Sequence, residues 1–111
     1  MKYAVDKKDN FTQFDLMEEK FDTIVAPEIK SKFITLNAEG NKNIILNLET
    51  VKYVDSSGLS AILVANRLCQ GAEGRLVLSN VSDHVMKLFK ISQLDSVLNI
   101  AASVDEAKAG F

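Results

Sequence analysis

The sequence is poor in the residues that build metal centres, disulfide frameworks and membrane spans. Its 111 residues include one cysteine, one histidine and no tryptophan. One cysteine excludes an internal disulfide framework. One histidine leaves a metal site dependent on a carboxylate cluster, and no calcium-loop or zinc spacing is present. No apolar run approaches the roughly 20 residues of a membrane span, and no apolar signal core follows the first lysine. We therefore predict a cytoplasmic protein without a membrane partner, a metal or a cofactor.

The sequence also lacks a surplus of either charge. Thirteen Lys and Arg against fifteen Asp and Glu give a net charge of −2, and the basic residues are scattered. A nucleic-acid-binding domain would cluster them, so we predict no nucleic-acid partner. With 47% apolar and 25% charged residues the composition is globular, and a chain of this length can bury one sizeable core. We predict a single domain over residues 1–111.

Short apolar segments separated by polar turns predict the strands. Two alternating segments, Lys2–Asp6 and Thr12–Met17, flank the polar turn "KKDN" and predict an antiparallel pair. The runs "NIILNL" and "RLVLSN" predict two strands, the first buried on both faces because it is nearly continuous in apolar residues. The segment "DSVLNIA" predicts a last strand.

Four segments predict helices. In "DTIVAPEIKSKFITLNAEG", Ile29, Phe33 and Leu36 recur at helical spacing. Asp22 or Thr23 is the predicted cap of this helix, and Gly40 ends it. The other predicted helices are roughly Ser57–Gln70, closed by Gly71 and Gly74, then "SDHVMKLFKI" with Val85, Leu88 and Phe89 inward, and "VDEAKAG". This alternation predicts an α/β fold with a mixed, mostly parallel sheet of about five strands and about four helices.

Polar residues follow three of the predicted strands. Asp22 follows the second, Asp55–Ser57 follow the third, and Ser79–Asn80 follow the fourth. Because the carboxyl ends of parallel strands meet at one edge of a sheet, we expect these residues to share one surface. Ser56 also lies at a helix start, where free N–H groups and the helix dipole favour an anion. One Asp and one Ser suffice for a cap, so the second serine of "DSSG" is surplus to capping.

Two leucines fall outside the apolar face of the second predicted helix. That face comprises Ala61, Ile62, Val64, Ala65, Leu68 and Cys69. Leu59 and Leu63 fall instead among the polar residues Ser60, Asn66, Arg67 and Gln70. They are either half-buried at the margin of the core or part of a ridge that docks a partner beside the serines.

No catalytic motif surrounds Ser56. The G-x-S-x-G elbow is absent, and the adjacent Asp55 cannot replace an oriented imidazole. Neither of the glycine-rich phosphate-binding motifs, G-x-x-x-x-G-K and G-x-G-x-x-G, is present. His84 lies in the first turn of the third predicted helix, and no residue near it in sequence would orient it as a base. We predict that the chain is not an enzyme.

The stretch "NIILNLETVKYVDSSGLSAIL" resembles the core signature of STAS domains, in particular the stand-alone bacterial anti-sigma-factor antagonists. The resemblance continues through "FDTIVAPEIK" before it and "GAEGRLVLSNVSDHVMKLFKISQLDSVLNI" after it, so it covers nearly the whole chain. It implies a STAS-like fold and a role as a protein switch. One position departs from the family, since Glu19 stands where members commonly carry a glycine.

The resemblance implies a phosphorylation cycle. In the family, the serine after the Asp is phosphorylated by the anti-sigma factor, which is an ATP-using serine protein kinase. The unphosphorylated antagonist binds this kinase and releases the sigma factor, and a metal-dependent serine phosphatase resets the cycle. Carried onto this chain, the phosphorylation site is Ser56. The implied partner-binding residues are Asp22, Asp55, Ser57 and Gly58, and the ridge of Leu59 and Leu63 adjoins them.

Two other functions remain open from the sequence. STAS-like modules also serve as non-phosphorylated accessory or scaffold subunits, for example of lipid-transport ATPases or stress-sensing assemblies. The "DSSG" edge would then be a permanent docking surface. The third reading is direct binding of a small ligand or nucleotide at the strand ends, which the lack of a phosphate loop disfavours.

Overall fold

The computed structural model of the protein describes residues 2–111. Strands and helices alternate along this part of the chain. The strands are β1 (Tyr3–Lys7), β2 (Thr12–Leu16), β3 (Lys20–Phe21), β4 (Asn43–Asn47), β5 (Tyr53–Val54), β6 (Arg75–Ser79) and β7 (Asn99–Ala101). The helices are α1 (Ala26–Ala38), α2 (Ser56–Gly71), α3 (Asp83–Ile91) and α4 (Val104–Lys108). Within residues 2–111, no helix is both long enough and apolar enough to cross a membrane.

The strands form one main sheet and one short ribbon. The main sheet has the order β1-β2-β4-β6-β7, and only β1 runs antiparallel to its neighbour. This confirms the predicted mixed, mostly parallel sheet and the antiparallel first pair. Strands β3 and β5 pair with each other in parallel, Lys20 beside Tyr53 and Phe21 beside Val54. The sequence did not predict this β3–β5 ribbon, and it carries the candidate site.

Apolar residues fill both faces of the main sheet. On one face, Ile44 and Leu46 of β4 belong to the larger core, which α1, α2 and α3 cover. On the other face, Ile45 packs with Val77 and with Ala107 of α4. Burial on both faces explains why "NIILNL" is nearly continuous in apolar residues, and it confirms that prediction.

Helix α1 lies against the larger core as its spacing predicts. Ile29, Phe33 and Leu36 are buried, and the ring centroids of Phe33 and Phe14 lie 5.0 Å apart. Gly40 has a φ of +93°, a left-handed conformation that glycine adopts without strain, so it ends the helical segment as expected.

The carboxyl end of α2 differs from its prediction. The helix includes Gly71, and the left-handed residue after it is Glu73, with a φ of 64°, rather than Gly74. Gly74 is instead required by packing, because a Cβ there would overlap the carbonyl group of Lys42. Glycine at position 74 therefore allows β6 to begin close to the segment before β4.

Helix α2 buries a wider face than its sequence indicates. Ala61, Ile62 and Cys69 are buried as predicted, but so is Asn66, which the pattern placed on the polar side. The reason is that α2 packs against α1, β5 and β6, so more than one stripe of the helix is covered. Within residues 2–111, the buried Oδ1 atom of Asn66 has no hydrogen-bond partner.

Burial of Cys69 leads to a prediction about its reactivity. Cys69 is 1% exposed, and burial raises the pKa of its thiol to about 11. The thiolate is the reactive form, so we expect the folded protein to react very slowly with 5,5′-dithiobis(2-nitrobenzoate) at pH 8. In guanidinium chloride the thiol should react at once. Rapid labelling without denaturant would contradict this burial.

Candidate functional site

The β3–β5 ribbon brings two loops together that are distant in sequence. Asp22 and Thr23 follow β3, whereas Asp55 and Ser56 follow β5 and open α2. The backbone N–H of Asp55 donates to the carbonyl oxygen of Phe21 at 3.2 Å, which extends the ribbon by one bond. The ribbon therefore fixes the start of α2 against the loop that leads into α1.

Asp55 caps α2 and also holds the neighbouring loop. Its Oδ1 accepts from the backbone N–H of Gly58 at 3.0 Å. Its Oδ2 accepts from the backbone N–H of Thr23 at 3.1 Å and from the Thr23 hydroxyl at 3.2 Å. The Gly58 bond, assisted by those from Thr23, outweighs desolvation and lowers the pKa of Asp55 below its ordinary value of 3.8. The carboxylate is therefore charged at neutral pH.

Because its pKa is lowered, Asp55 should make stability depend on pH in the acid range. The charged carboxylate stabilises the fold fully above the unfolded-state pKa of 3.8, and this stabilisation is lost as pH falls through the lower folded-state pKa. We expect the wild type to unfold at higher urea concentration than Asp55→Asn at pH 7, and the gap to close toward pH 3. Asp95→Asn, at an exposed acid, is the control. A gap unchanged by pH would contradict the role given to the Asp55 charge.

The two serines of "DSSG" differ in their surroundings. Ser57 is half-buried, and its Oγ lies 3.2 Å from the Thr23 Oγ1. Since the Thr23 hydroxyl donates to Asp55, Ser57 is the donor in this pair. Ser56 is the first residue of α2 and is exposed, and none of the hydrogen bonds around the site involves its hydroxyl. The hydroxyl of Ser56 is thus free at the positive end of a helix.

Gly58 lies beneath this surface rather than on it. It is buried, and a Cβ there would overlap the carbonyl oxygen of Phe21 and lie 2.9 Å from Cγ1 of Val54. Its predicted place among the partner-binding residues stays a prediction, and the structure gives Gly58 a packing role. It acts through packing, because only glycine lets α2 approach the ribbon this closely.

The two leucines of the predicted ridge are partly buried. Leu59 and Leu63 both pack against the larger core, which agrees with the prediction that they lie at its margin. Leu59 also lines an open groove beside Ser56, so part of it faces the candidate site.

Asp22 lies at the same surface and orders its own loop. Its Oδ1 accepts from the backbone N–H groups of Ile24 and Val25 at 3.1 and 3.2 Å. These bonds hold the turn that leads into α1, whereas Val25, the residue at the cap position, makes no capping bond with its side chain. Thr23 does not cap α1, because its hydroxyl is bonded to Asp55 instead.

Ser79 and Asn80 do not join this site, which corrects the predicted shared edge. The Nδ2 of Asn80 donates to the Oδ1 of Asn47 at 2.9 Å, and the Nδ2 of Asn47 donates to Asp15 at 2.9 Å. Ser79 is fully buried. The reason is that Asp22 and Asp55 follow the strands of the ribbon, whereas Ser79 ends a strand of the main sheet.

Two grooves meet at Ser56. The first, here the α1 groove, has a volume of about 520 Å³ and is lined by Thr23, Pro27, Lys30, Ile34, Ser57 and Ser60 beside Ser56. The second, here the α3 groove, has a volume of about 620 Å³ and is lined by Tyr53, Leu59, His84, Lys87, Leu88 and Ile91 beside Asp55 and Ser56. Across residues 2–111, no group of three His, Cys, Asp or Glu side chains could hold a metal ion.

The sequence did not indicate that Thr23, Tyr53 and Ile91 belong to this surface. The sequence marks Thr23 only as a possible cap of α1, and no local pattern indicates its bonds to Asp55, 32 residues away. Tyr53 and Ile91 are 46% and 81% exposed beside Ser56. Ile91 carried a usable signal, because it falls off the inward face of α3 that Val85 and Phe89 define.

A comparison with protein families identifies the class. The model of the STAS domain matches residues 2–107. The chain therefore belongs to the STAS domain family. A Bordetella bronchiseptica protein named BtrV, assigned as an anti-sigma factor antagonist, is 26% identical over 111 residues, covering 100% of this chain and 95% of that protein. The anti-sigma-B factor antagonist of Staphylococcus aureus is 27% identical over 81 residues, covering 73% of this chain and 75% of that protein.

Solved structures share the fold. An anti-sigma factor antagonist from Mycobacterium paratuberculosis superposes with a TM-score of 0.86 at 15% identity, over 98% of this chain and 92% of that one. The anti-sigma factor antagonist SpoIIAA in its unphosphorylated form gives 0.76 at 23% identity, over 97% and 96% of the two chains. SpoIIAA of Bacillus in its phosphorylated form also gives 0.76 at 23% identity, over 99% and 100%.

Proposed function

We propose that this chain is an anti-sigma-factor antagonist that works by partner switching in the cytoplasm. As a single STAS-like domain, it binds an anti-sigma factor while Ser56 is unphosphorylated and thereby frees the sigma factor. The anti-sigma factor is also the serine kinase that phosphorylates Ser56, and phosphorylation ends the complex. A metal-dependent serine phosphatase restores the binding form. This chain contributes the surface and the acceptor hydroxyl, and the two enzymes perform the chemistry.

The observation that carries the proposal is the difference between the two serines. The Ser56 hydroxyl is exposed and free of hydrogen bonds at the start of α2, while the Ser57 hydroxyl is tied to Thr23. A kinase needs an acceptor hydroxyl that its active site can surround. Of the two serines, only Ser56 meets this need without breaking the hydrogen bond between Ser57 and Thr23. The family match and the antagonist relatives support the same reading.

Charge explains how one phosphate could end a complex. A phosphate adds about −1.5 to −2 charges and three acceptor oxygens at neutral pH. The free N–H groups at the start of α2 tolerate an anion, so we expect little change in fold. The similar match of this chain to both forms of SpoIIAA supports that expectation. A partner surface that packs against a bare hydroxyl would instead meet a hydrated dianion beside Asp22 and Asp55.

The test is a phosphorylation assay with mapped products. Each anti-sigma factor of the kinase type from the source genome is purified and incubated with ATP and the wild type, Ser56→Ala or Ser57→Ala. We expect one of these kinases to add one phosphate to the wild type and to Ser57→Ala and none to Ser56→Ala, by intact-mass and peptide mass spectrometry. Labelling of Ser56→Ala, or no labelling of the wild type by any of them, would contradict the proposal.

A further inference from the structure

We propose that the α1 groove seats the phosphate of phosphorylated Ser56, and that Lys30 and Ser60 hold it there. This inference rests on the proposed function and deepens it, because it names the groups of this chain that bind the added phosphate. Ser56 forms part of the lining of both grooves, so rotation of its side chain could direct a phosphate into either of them. Charge and hydrogen-bond donors distinguish the two grooves.

The α1 groove carries a cation and no acid. Lys30 lines it, and none of the described residues in its lining is Asp or Glu. Lys30 is half-buried, and it is absent from the ion pairs of residues 2–111. Its ammonium group is therefore available to an anion. A lysine and a phosphate form charge-assisted hydrogen bonds, which are stronger than those between neutral groups.

Hydroxyl groups add hydrogen-bond donors on the same side of Ser56. Ser60 lies four residues after Ser56 in α2, and side chains at this spacing are neighbours on one face of a helix. The Cα–Cβ bond in a helix tilts toward the amino terminus, so the side chain of Ser60 leans toward Ser56. Ser60 is exposed and lines the α1 groove but not the α3 groove. A hydrogen bond from its hydroxyl would draw the phosphate toward α1.

The α3 groove is less suited to a dianion. Lys87 lines it, but so does Asp55, whose lowered pKa keeps the carboxylate charged at neutral pH. The two charges cancel in sum, and the carboxylate repels a phosphate directly. Much of the remaining lining is apolar, namely Leu59, Leu88 and Ile91. These side chains cannot replace the hydrogen bonds to water that a phosphate would lose there.

The seat has a consequence for the size of the added charge. The second pKa of a phosphoserine is about 6, so its charge at pH 7 lies between about −1.5 and −2. A cation beside the phosphate favours the dianion and lowers this pKa, whereas a nearby carboxylate raises it. With Lys30 at the phosphate, the second negative charge is complete at neutral pH. Lys30 would thus give a single phosphate its full effect on the complex.

Titration of the phosphate by phosphorus nuclear magnetic resonance tests the seat. Phosphoserine is installed at position 56 during translation with a phosphoseryl-tRNA, so the measurement needs no kinase. The substitutions Lys30→Met, Lys30→Arg, Ser60→Ala and Lys87→Met are compared with the unsubstituted chain. All five proteins carry His84→Gln, because histidine titrates in the same pH range as a phosphate. The titratable groups that line the two grooves are Lys30, Tyr53, Asp55, His84 and Lys87.

We expect the pKa of the phosphate to be about 0.5 higher in Lys30→Met than in the unsubstituted chain, the size of effect that a surface ion pair produces. Lys30→Arg keeps the charge, so the pKa should return to within about 0.2 of the unsubstituted value. Ser60→Ala removes a donor to the charged form and should raise the pKa by about 0.2. Lys87→Met is the matched change in the α3 groove and should alter the pKa by about 0.1 or less.

The outcomes separate this inference from the proposed function. An unchanged pKa in both Lys30→Met and Ser60→Ala would overturn the seat, and a larger rise in Lys87→Met would overturn it by placing the phosphate in the α3 groove. If a kinase labels Ser56 and the pKa does not respond to Lys30→Met, the switch stands without the seat. If no kinase labels the wild type, the proposed function fails whatever the titration shows. Circular dichroism spectra like that of wild type are expected, since methionine keeps the aliphatic stem of Lys30 and Ser60 is exposed.

Discussion

Replacing Ser56 with glutamate is expected to weaken binding of the anti-sigma factor about 100-fold, which corresponds to about 2.8 kcal/mol. The carboxylate places a permanent charge where the hydroxyl of Ser56 is exposed at the start of α2. The partner must then bury or displace that charge, at a cost that a bare hydroxyl does not impose. Isothermal titration calorimetry with the purified anti-sigma factor measures the change directly.

Two control variants show whether the effect belongs to this position. Ser56→Ala removes the acceptor without adding charge, so we expect its affinity within about threefold of wild type. Ser60→Glu adds the same charge one turn further along α2, on an exposed residue of the α1 groove, and should change the affinity about threefold or less. If Ser60→Glu weakens binding as much as Ser56→Glu, general repulsion rather than a switch at Ser56 is the cause.

Replacing Gly58 with alanine is expected to destabilise the fold by about 3 kcal/mol. The added Cβ would overlap the carbonyl oxygen of Phe21, a backbone atom that cannot rotate away, and would press on Val54. Either α2 or the β3–β5 ribbon must shift, and the Asp55 cap would be strained with it. Urea denaturation followed by circular dichroism gives the free energy of unfolding of wild type and variant.

Gly71 offers a matched control within the same helix. A Cβ at Gly71 would meet nothing within 4 Å, and the residue is helical. Alanine there should stabilise the protein by about 0.5–1 kcal/mol through helix propensity alone. Opposite signs for Gly58→Ala and Gly71→Ala would show that the close approach to the ribbon matters. Equal stabilisation at both positions is the result that would falsify the packing assigned to Gly58.

Much of the main sheet and its helices was predictable, because apolar residues recur there at helical spacing or fill a strand without interruption. Ile29, Phe33 and Leu36 recur on one face of α1, and all of them are buried. The apolar run of β4 indicated burial on both faces, and Ile45 indeed packs away from the larger core. In each case the apolar residues of one element indicate which of its faces are buried, so no contact with a distant part of the chain had to be known.

The β3–β5 ribbon could not be predicted in this way. Each of its strands has two residues, which is too short for any alternation to show. Its pairing joins Phe21 to Val54, and only the tertiary fold brings them together. The wrong prediction for Ser79 and Asn80 has the same cause. It assumed that all the polar loops follow strands of one sheet, because the ribbon was not predicted.

The candidate site was only partly predictable for a similar reason. The cap formed by Asp55 is a local signal, and the sequence placed it correctly at the start of α2. The difference between Ser56 and Ser57 is not local, because it depends on the hydroxyl of Thr23, 34 residues before Ser57. The burial of Asn66 is likewise set by three neighbouring elements rather than by its own helix.

The ribbon has a kinetic consequence. Because β3 and β5 already hold both loops, and Thr23 already holds Asp55, the proposed gain or loss of a phosphate on Ser56 would demand no slow rearrangement of the backbone. Under the proposed function, the time of response would then be set by the turnover of the kinase and the phosphatase rather than by refolding of this chain. A cell that changed the amounts of those two enzymes would change how quickly transcription responds and leave this small protein unaltered.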